Sequence, residues 1–438
     1  MSLPLHRPPS DHAAAALALR YLATAAAAYV LATLGVVWLA PELSGHYYQP
    51  RLFALTHLVT LGWITLAIMG AGYQIVPVAL GRPLWSERLA RWQFWILATG
   101  IAGMVSHFYL GTWPGLAAAA ALVGSGVALH VFNVAMTLRG FRDSTFTARA
   151  VRLGHAGLAL TALFGLTLSI NRLWPVLPSD ALATLHAHVH LALLGWVAPM
   201  VFGVAARIYP MFLVAPEPAP WLGRVQLWGL GLGLPMLIAG LIAAPALTAP
   251  GALAVSAAAA AHGLAVLTIT RASRRPGLDW GLRLALTGSA ALLLLIAGGL
   301  GFALGLLSGP HAALAYGALA LGGWSSLTIA GVMLKIVPVL VWHRVYGPRV
   351  GRAPVPSVAQ LTAPRLEALA YALLTAGMLL LAVTLAVGDA TWIRRAGILL
   401  ALGGLAFAAT LTYAFRHLAI VTSAPPVNAE APLPGGRG

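Results

Sequence analysis

The stretch His186–Pro210, HAHVHLALLGWVAPMVFGVAARIYP, decides the reading of this chain. It places three histidines ahead of a Gly-Trp pair, inside an apolar run long enough to cross a bilayer. The same frame occurs twice more, in His57–Pro77 (HLVTLGWITLAIMGAGYQIVP) and Ala318–Pro338 (ALALGGWSSLTIAGVMLKIVP). Each copy keeps one spacing, with seven residues from Trp to Gly and seven more to Pro: Trp63, Gly70, Pro77; Trp196, Gly203, Pro210; Trp324, Gly331, Pro338. The copies lie much farther apart than the roughly 20–50 residues of a solenoid unit. Each repeat must therefore hold several helices.

Composition fixes the class. Of 438 residues, 60% are hydrophobic and 8% charged, against the roughly 25% charged of a soluble domain. Apolar runs recur at the length that crosses ~30 Å of hydrocarbon. The fold class is all-α: a polytopic membrane protein with the lipid bilayer as its surroundings. Twelve spans are read near 17–40, 51–79, 92–111, 115–138, 152–171, 182–212, 222–243, 250–270, 283–307, 312–341, 366–387 and 395–416. The repeat frames fall on the second, sixth and tenth, so the spans divide into three pseudo-symmetric groups of four. Residues 1–421 form this transmembrane domain, and the Pro- and Gly-rich 422–438 reads as a disordered cytoplasmic tail. Met1–Asp11 is polar and leads into a full-length span, which argues against a cleaved signal peptide.

Charge tests the topology independently. With alternating spans and both termini on one side, the opposite side receives only Arg51, Arg172, Arg394 and Arg395 of the 26 basic residues. The positive-inside rule makes the basic side cytoplasmic, with both termini there, in the cell's inner (plasma) membrane. The net charge of +16 then reflects loops facing anionic lipid rather than a nucleic-acid partner. There is no cysteine, which excludes disulfides, thiolate metal sites and cysteine nucleophiles.

Imidazoles inside a membrane are costly without a partner and are functional candidates by default. They are also the commonest nitrogen ligands of metals and haem iron. His57, His186, His188 and His190 fall in the first third of their spans, at the non-basic side, and His46, His107 and His311 lie near the same face. His186 and His190 share a helix face, while His188 turns about 200° from His190. One helix could so serve two centres on opposite sides. The bland alternative is that these rings hydrogen-bond to neighbouring helices. Trp63, Trp196 and Trp324 are expected to pack, with their glycines allowing close helix approach.

HVHLALLGW, with Gly203 and Pro210 following, resembles a stretch of the catalytic subunit of haem-copper oxidases, the cbb3-type subunit I in particular. That family has twelve spans in three groups of four. The resemblance implies that His188 is similar to the high-spin haem ligand, His190 to the low-spin haem ligand, and His57 to the second-span ligand opposite it. It implies haem b, a possible copper, an electron donor such as cytochrome c or a quinol, and partner subunits. Two departures stand out. The His-Val-His motif is on the sixth span instead of the tenth, where Tyr316 and Ala318 stand in its place. The seventh span has no histidine for a copper centre, which leaves His186, His188 and His107, with His46 and His311, as the metal candidates.

The ten acidic residues all fall in loops, tails or span ends. Lys335, Tyr209, Tyr316 and scattered hydroxyls are the remaining relay candidates, so proton pumping is not expected. Lys335 is expected to snorkel to the cytoplasmic surface. The leading expectation is a haem-binding protein of respiratory electron transfer or of oxygen or nitric oxide chemistry, with His57 and His190 as one axial pair. The alternatives are a haem- or copper-handling or nitric-oxide-response protein without turnover, and a transporter, whose repeats usually number two.

Overall fold

The computed structural model describes residues 10–80, 83–140, 145–177 and 181–419; the tail at 422–438 lies outside them. The described chain contains helices and no strands. Its long rods are α1 (Ser10–Trp38), α2 (50–80), α3 (Glu87–Leu110), α4 (Trp113–Thr137), α5 (Phe146–Asn171), α6 (Ala181–Leu213), α7 (Pro220–Ile242), α8 (Thr248–Arg271), α9 (Trp280–Ala303, broken at Ala291), α10 (Pro310–Val345), α11 (Pro364–Val387) and α12 (Ala390–Phe415). Eleven candidate membrane spans are long and apolar enough to cross a membrane. The exception among the rods is α3, which carries Gln93 and His107 and is less apolar.

The rods α3, α5, α9 and α12 begin three to six residues before the spans read from hydropathy. The reason is capping: Ser86, Thr145, Asp279 and Asp389 each accept a backbone N–H from the first turn of their helix. These polar starts satisfy orphan donors at the membrane surface. An apolar window does not register them.

The repeat frame has a physical cause. Three π-helical turns, Leu58–Thr65, Leu191–Val197 and Leu319–Ser326, begin five residues before the three tryptophans. Each is an extra-residue bulge in an otherwise α-helical rod, of the kind that often marks functional sites. The frame glycines pack α2, α6 and α10 onto the rod that opens their own group of four. A Cβ on Gly70 would strike Tyr21 of α1, one on Gly203 would strike Ala150 of α5, and one on Gly331 would strike the Ala285 backbone of α9. Gly62, Gly195 and Gly323 repeat the pattern against Ala28, Gly157 and Ala291. The three prolines each sit inside a helix, where a missing N–H and ring clash bend the rod.

The three indoles are fully buried, as packing requires, and form the centre of the bundle. Trp63 Nε1 donates to Ser326 Oγ at 2.9 Å, and Trp196 Nε1 donates to Thr65 Oγ1 at 3.3 Å. Trp324 stands 6.0 Å from Phe202 of α6. The sixth-span rod thus touches the tenth, the tenth touches the second, and the second touches the sixth. Side-chain bonds also separate the two ends of the bundle. The basic end joins Lys335 to Asp279 and Tyr346 to His417. The far end joins Trp38 to Tyr109 and His311 to Ser44.

Candidate functional site

A cavity of about 1090 Å³ opens in the far half of the bundle. It is lined by all three π turns and lies among α2, α5, α6 and α10. His57, His186, His188 and His190 all line it, with Tyr316 and Arg172. All three sixth-span histidines reach this one cavity.

His57 and His190 share one local arrangement. His57 Nδ1 donates to Phe53 O and His190 Nδ1 donates to His186 O, each at 2.7 Å and each one turn back along its own helix. A carbonyl can only accept, so the proton is fixed on Nδ1 and the Nε2 lone pair is left open. Each ring is half-buried and faces the cavity. The π turn starts immediately after each of these histidines. It shifts the helix phase, so that the rings face the cavity while Trp63 is turned away from it and Trp196 stands at its floor.

His188 is placed differently. Its ring lies 6.5 Å from that of His57, with planes 21° apart, and packs against Gly165 of α5. Its Nδ1 is buried without a hydrogen-bond partner. His186 offers Nε2 to the Tyr47 hydroxyl at 3.2 Å, and Tyr47 stacks on His46 at 4.5 Å. His107 stands outside the cavity lining, its Nδ1 2.6 Å from Thr112 Oγ1. His311 donates to Ser44 O at 3.0 Å. Among the described residues, no group of three or more His, Cys, Asp or Glu side chains comes together as a metal site. Arg172 supplies a cation at the rim, held by the Tyr48 hydroxyl and lying 5.2 Å over the Trp113 ring.

Two features escape the sequence. Glu367 does fall at a span end, yet it is buried there, beside the Asp279–Lys335 pair. Lys335 does not simply snorkel, since its ammonium bonds Asp279 at 2.6 Å with Arg275 on the same carboxylate. The second feature is a buried polar chain through Tyr21, Tyr73, Gln93, His130 and His155. No spacing rule exposes it, because its members come one each from five helices.

A curated relative, quinol oxidase subunit 1 of Sulfolobus acidocaldarius, is 24% identical over 195 residues. The match takes in 41% of this chain and 37% of that protein, well under two thirds of the relative's length. The family model described as cytochrome c and quinol oxidase polypeptide I matches residues 12–273, which include α2 with His57, α6 with its three histidines, and the first two π turns. More than half of the chain falls under that model, and the protein belongs to the haem-copper oxidase subunit I family.

Proposed function

We propose that the cavity holds a b-type haem and that the protein carries electrons within the membrane as a haem-binding subunit of respiratory type. The observation that carries this reading is the matched pair His57 and His190. Each Nδ1 is fixed to a carbonyl and each Nε2 is open to one apolar cavity. That is the orientation a ligating imidazole needs from its surroundings. The cavity exceeds the ~300–1,000 Å³ of ordinary small-molecule sites, and Arg172 at its rim suits the carboxylates of such a group. The residues present therefore fit a haem. A haem bound there supplies reversible one-electron chemistry at iron.

The chain's own residues do the rest. His57 and His190 offer nitrogen donors from α2 and α6, and the carbonyls of Phe53 and His186 hold their tautomers. The apolar lining keeps water away. Copper has no comparable seat among the described residues, so the reading includes no copper step. Electrons reach the cavity from a partner protein or from a quinol, the latter in keeping with the name of the matched relative, a quinol oxidase subunit. The basic end faces the cytoplasm in this reading.

One observation favours a second pairing. His188 is the sixth-span ring that stands beside His57, and its Nδ1 lacks a partner. Difference spectra of protein purified from haem-replete cells decide both points. A reduced-minus-oxidised α-band of b-type haem is expected, and its absence overturns the proposal. H57A and H190A are each expected to abolish the six-coordinate signal. If H188A abolishes it while H190A does not, the His57–His188 pairing holds. Carbon monoxide binding separates a ligand-binding centre from a handling protein that only carries the group.

A further inference from the structure

Below the cavity, toward the basic end, a polar cluster crosses five helices. Tyr21 (α1), Tyr73 (α2), Gln93 (α3), His130 (α4) and His155 (α5) are all buried. The Tyr21 hydroxyl donates to Gln93 Oε1, Tyr73 OH lies 3.0 Å from the same oxygen, and His130 Nδ1 lies 2.9 Å from Tyr73 OH. The two imidazoles then meet through their Nε2 atoms at 3.3 Å, with ring planes 21° apart. His155 Nδ1 lies 2.7 Å from Val151 O. One turn from His130, the Asn133 amide is held by the Ser86 backbone, at the cap of α3. Among the described residues, no carboxylate takes part.

Donor accounting limits this chain to two states. Val151 O only accepts, so His155 carries its proton on Nδ1 and presents a bare Nε2. In the neutral state His130 carries its proton on Nε2 and donates it to His155, while Tyr73 donates to His130 Nδ1. In the other state Tyr73 has turned its O–H to Gln93 Oε1, and His130 Nδ1–H donates to the Tyr73 oxygen. The two Nε2 lone pairs would then face each other at 3.3 Å, which is repulsive unless a positive charge lies between them. One added proton removes the conflict. It ends on His130 Nδ1, the Nε2 proton stays shared between the rings, and the Tyr73 rotor moves to Gln93. The Gln93 amide can turn to serve either state. Nothing is oxidised or reduced.

We propose that His130 and His155 form an internal proton-holding site that takes up one proton as a pair, with the Tyr73 hydroxyl as its switch. Tyr73 from α2 and Trp196 from α6 contact the pair, with Gln93 from α3 bonded to Tyr73, and Tyr21 from α1 and Met69 from α2 bonded in turn to Gln93. Arg20 lies at the Tyr21 end, over the Phe94 and Trp95 rings. An isolated imidazolium at this depth is expensive. Sharing the proton over two rings, with Val151 O and the Tyr73 oxygen accepting from the outer nitrogens, spreads that cost. The site also adjoins the cavity. Trp196, which lines the cavity, lies 5.4 Å from His155 and 6.3 Å from His130. Val127 and Leu158, each about one turn from its histidine, line the cavity as well. Negative charge gained in the cavity therefore favours the held proton; that coupling rests on the haem reading, whereas the site itself does not.

The test is nitrogen-15 NMR of histidine-labelled protein in bilayers, read against pH without any pigment bound. The pair is expected to titrate as one unit, taking one proton, with a coupling between the two Nε2 atoms across the shared hydrogen. In H155L the His130 ring is expected to stay neutral throughout. Two neutral rings at every pH where the protein is folded would overturn the proposal, as would unaltered uptake by His130 in H155L. Should H155L not fold, the wild-type titration and the Nε2–Nε2 coupling decide alone. Because no haem is needed, failure here leaves the haem reading standing, and the reverse also holds.

Discussion

Trp63 donates its indole N–H to Ser326, the residue two positions after the tryptophan of another repeat. Trp196 does the same to Thr65, two positions after Trp63. The residue that would complete the ring for Trp324 is Ala198, which has no hydroxyl, and Trp324 Nε1 is buried without a partner. The symmetry of the fold is thus broken at one atom. A hydrogen bond contributes about 1 kcal/mol net, and an orphaned buried donor costs about 1–3 kcal/mol. W63F loses the bond whereas W324F removes the orphan, so W63F is expected to destabilise the protein by about 2–4 kcal/mol more than W324F, the loss of ring volume being the same in both. Thermal unfolding in detergent reads the difference, and an equal loss would contradict the broken-ring account.

The frame glycines and the glycines packed against them make a sharper prediction. A Cβ on Gly157 would run into the Gly195 carbonyl, and one on Gly331 into the backbones of Ala285 and Gly281. Backbone cannot move aside as a flexible side chain can. G157A and G331A should each cost at least the ~1–3 kcal/mol of overpacking and lower the yield of folded protein. Gly72, in the helical part of α2, has nothing within 4 Å of an added Cβ. G72A should be neutral or stabilising by up to ~1 kcal/mol, because glycine is a poor helix former. Size-exclusion profiles of the three variants would expose the contrast.

The architecture is legible in the sequence because it is written in periodic and repeated signals. The Trp-Gly-Pro spacing marks α2, α6 and α10, and the placement of Arg51, Arg172, Arg394 and Arg395 fixes the alternation of the rods. The π turns are not legible, since an i→i+5 bond adds a residue without changing composition. Nor is the missing hydroxyl at Ala198, which matters only once the threefold partner is known. The histidines 57, 186, 188 and 190 can be gathered from spacing, and the structure does bring them to one cavity. Their differing roles follow from partners that no pattern announces: carbonyls for His57 and His190, Tyr47 for His186. His130 reads as an unremarkable core histidine until His155 is seen beside it.

Acid should weaken the basic end through Asp279. Partial burial pushes its carboxyl upward, but the Lys335 hydrogen bond, the Leu282 N–H and the charges of Lys335 and Arg275 outweigh this and hold it below the ordinary carboxylate range. A carboxyl depressed in the folded state contributes stability that is fully present above its unfolded pKa of about 3.9. That contribution disappears as pH falls through the lower folded value. D279N should lower stability at neutral pH and flatten the acid limb of a plot of melting temperature against pH. The group is about a quarter exposed, so the loss should stay modest, near the ~1 kcal/mol of a partly screened pair, because the asparagine oxygen can still cap the helix. An acid limb unchanged in D279N would assign the sensitivity to another group.

His186 separates ligation from mere proximity to the cavity. It lines the same space as His57 and His190 and sits one turn before His190 on the same helix face. Its Nε2, the atom a ligand would use, is engaged by the Tyr47 hydroxyl, and its backbone carbonyl orients His190. Replacing the side chain leaves that carbonyl in place. H186A should therefore keep the six-coordinate haem signal that H57A and H190A lose, with at most a small shift in band position. Low-temperature difference spectra of the three variants, prepared side by side, provide the comparison. Loss of the signal in H186A to the extent seen in H190A would move ligation to the ring at 186 and reduce the carbonyl contact to a packing detail.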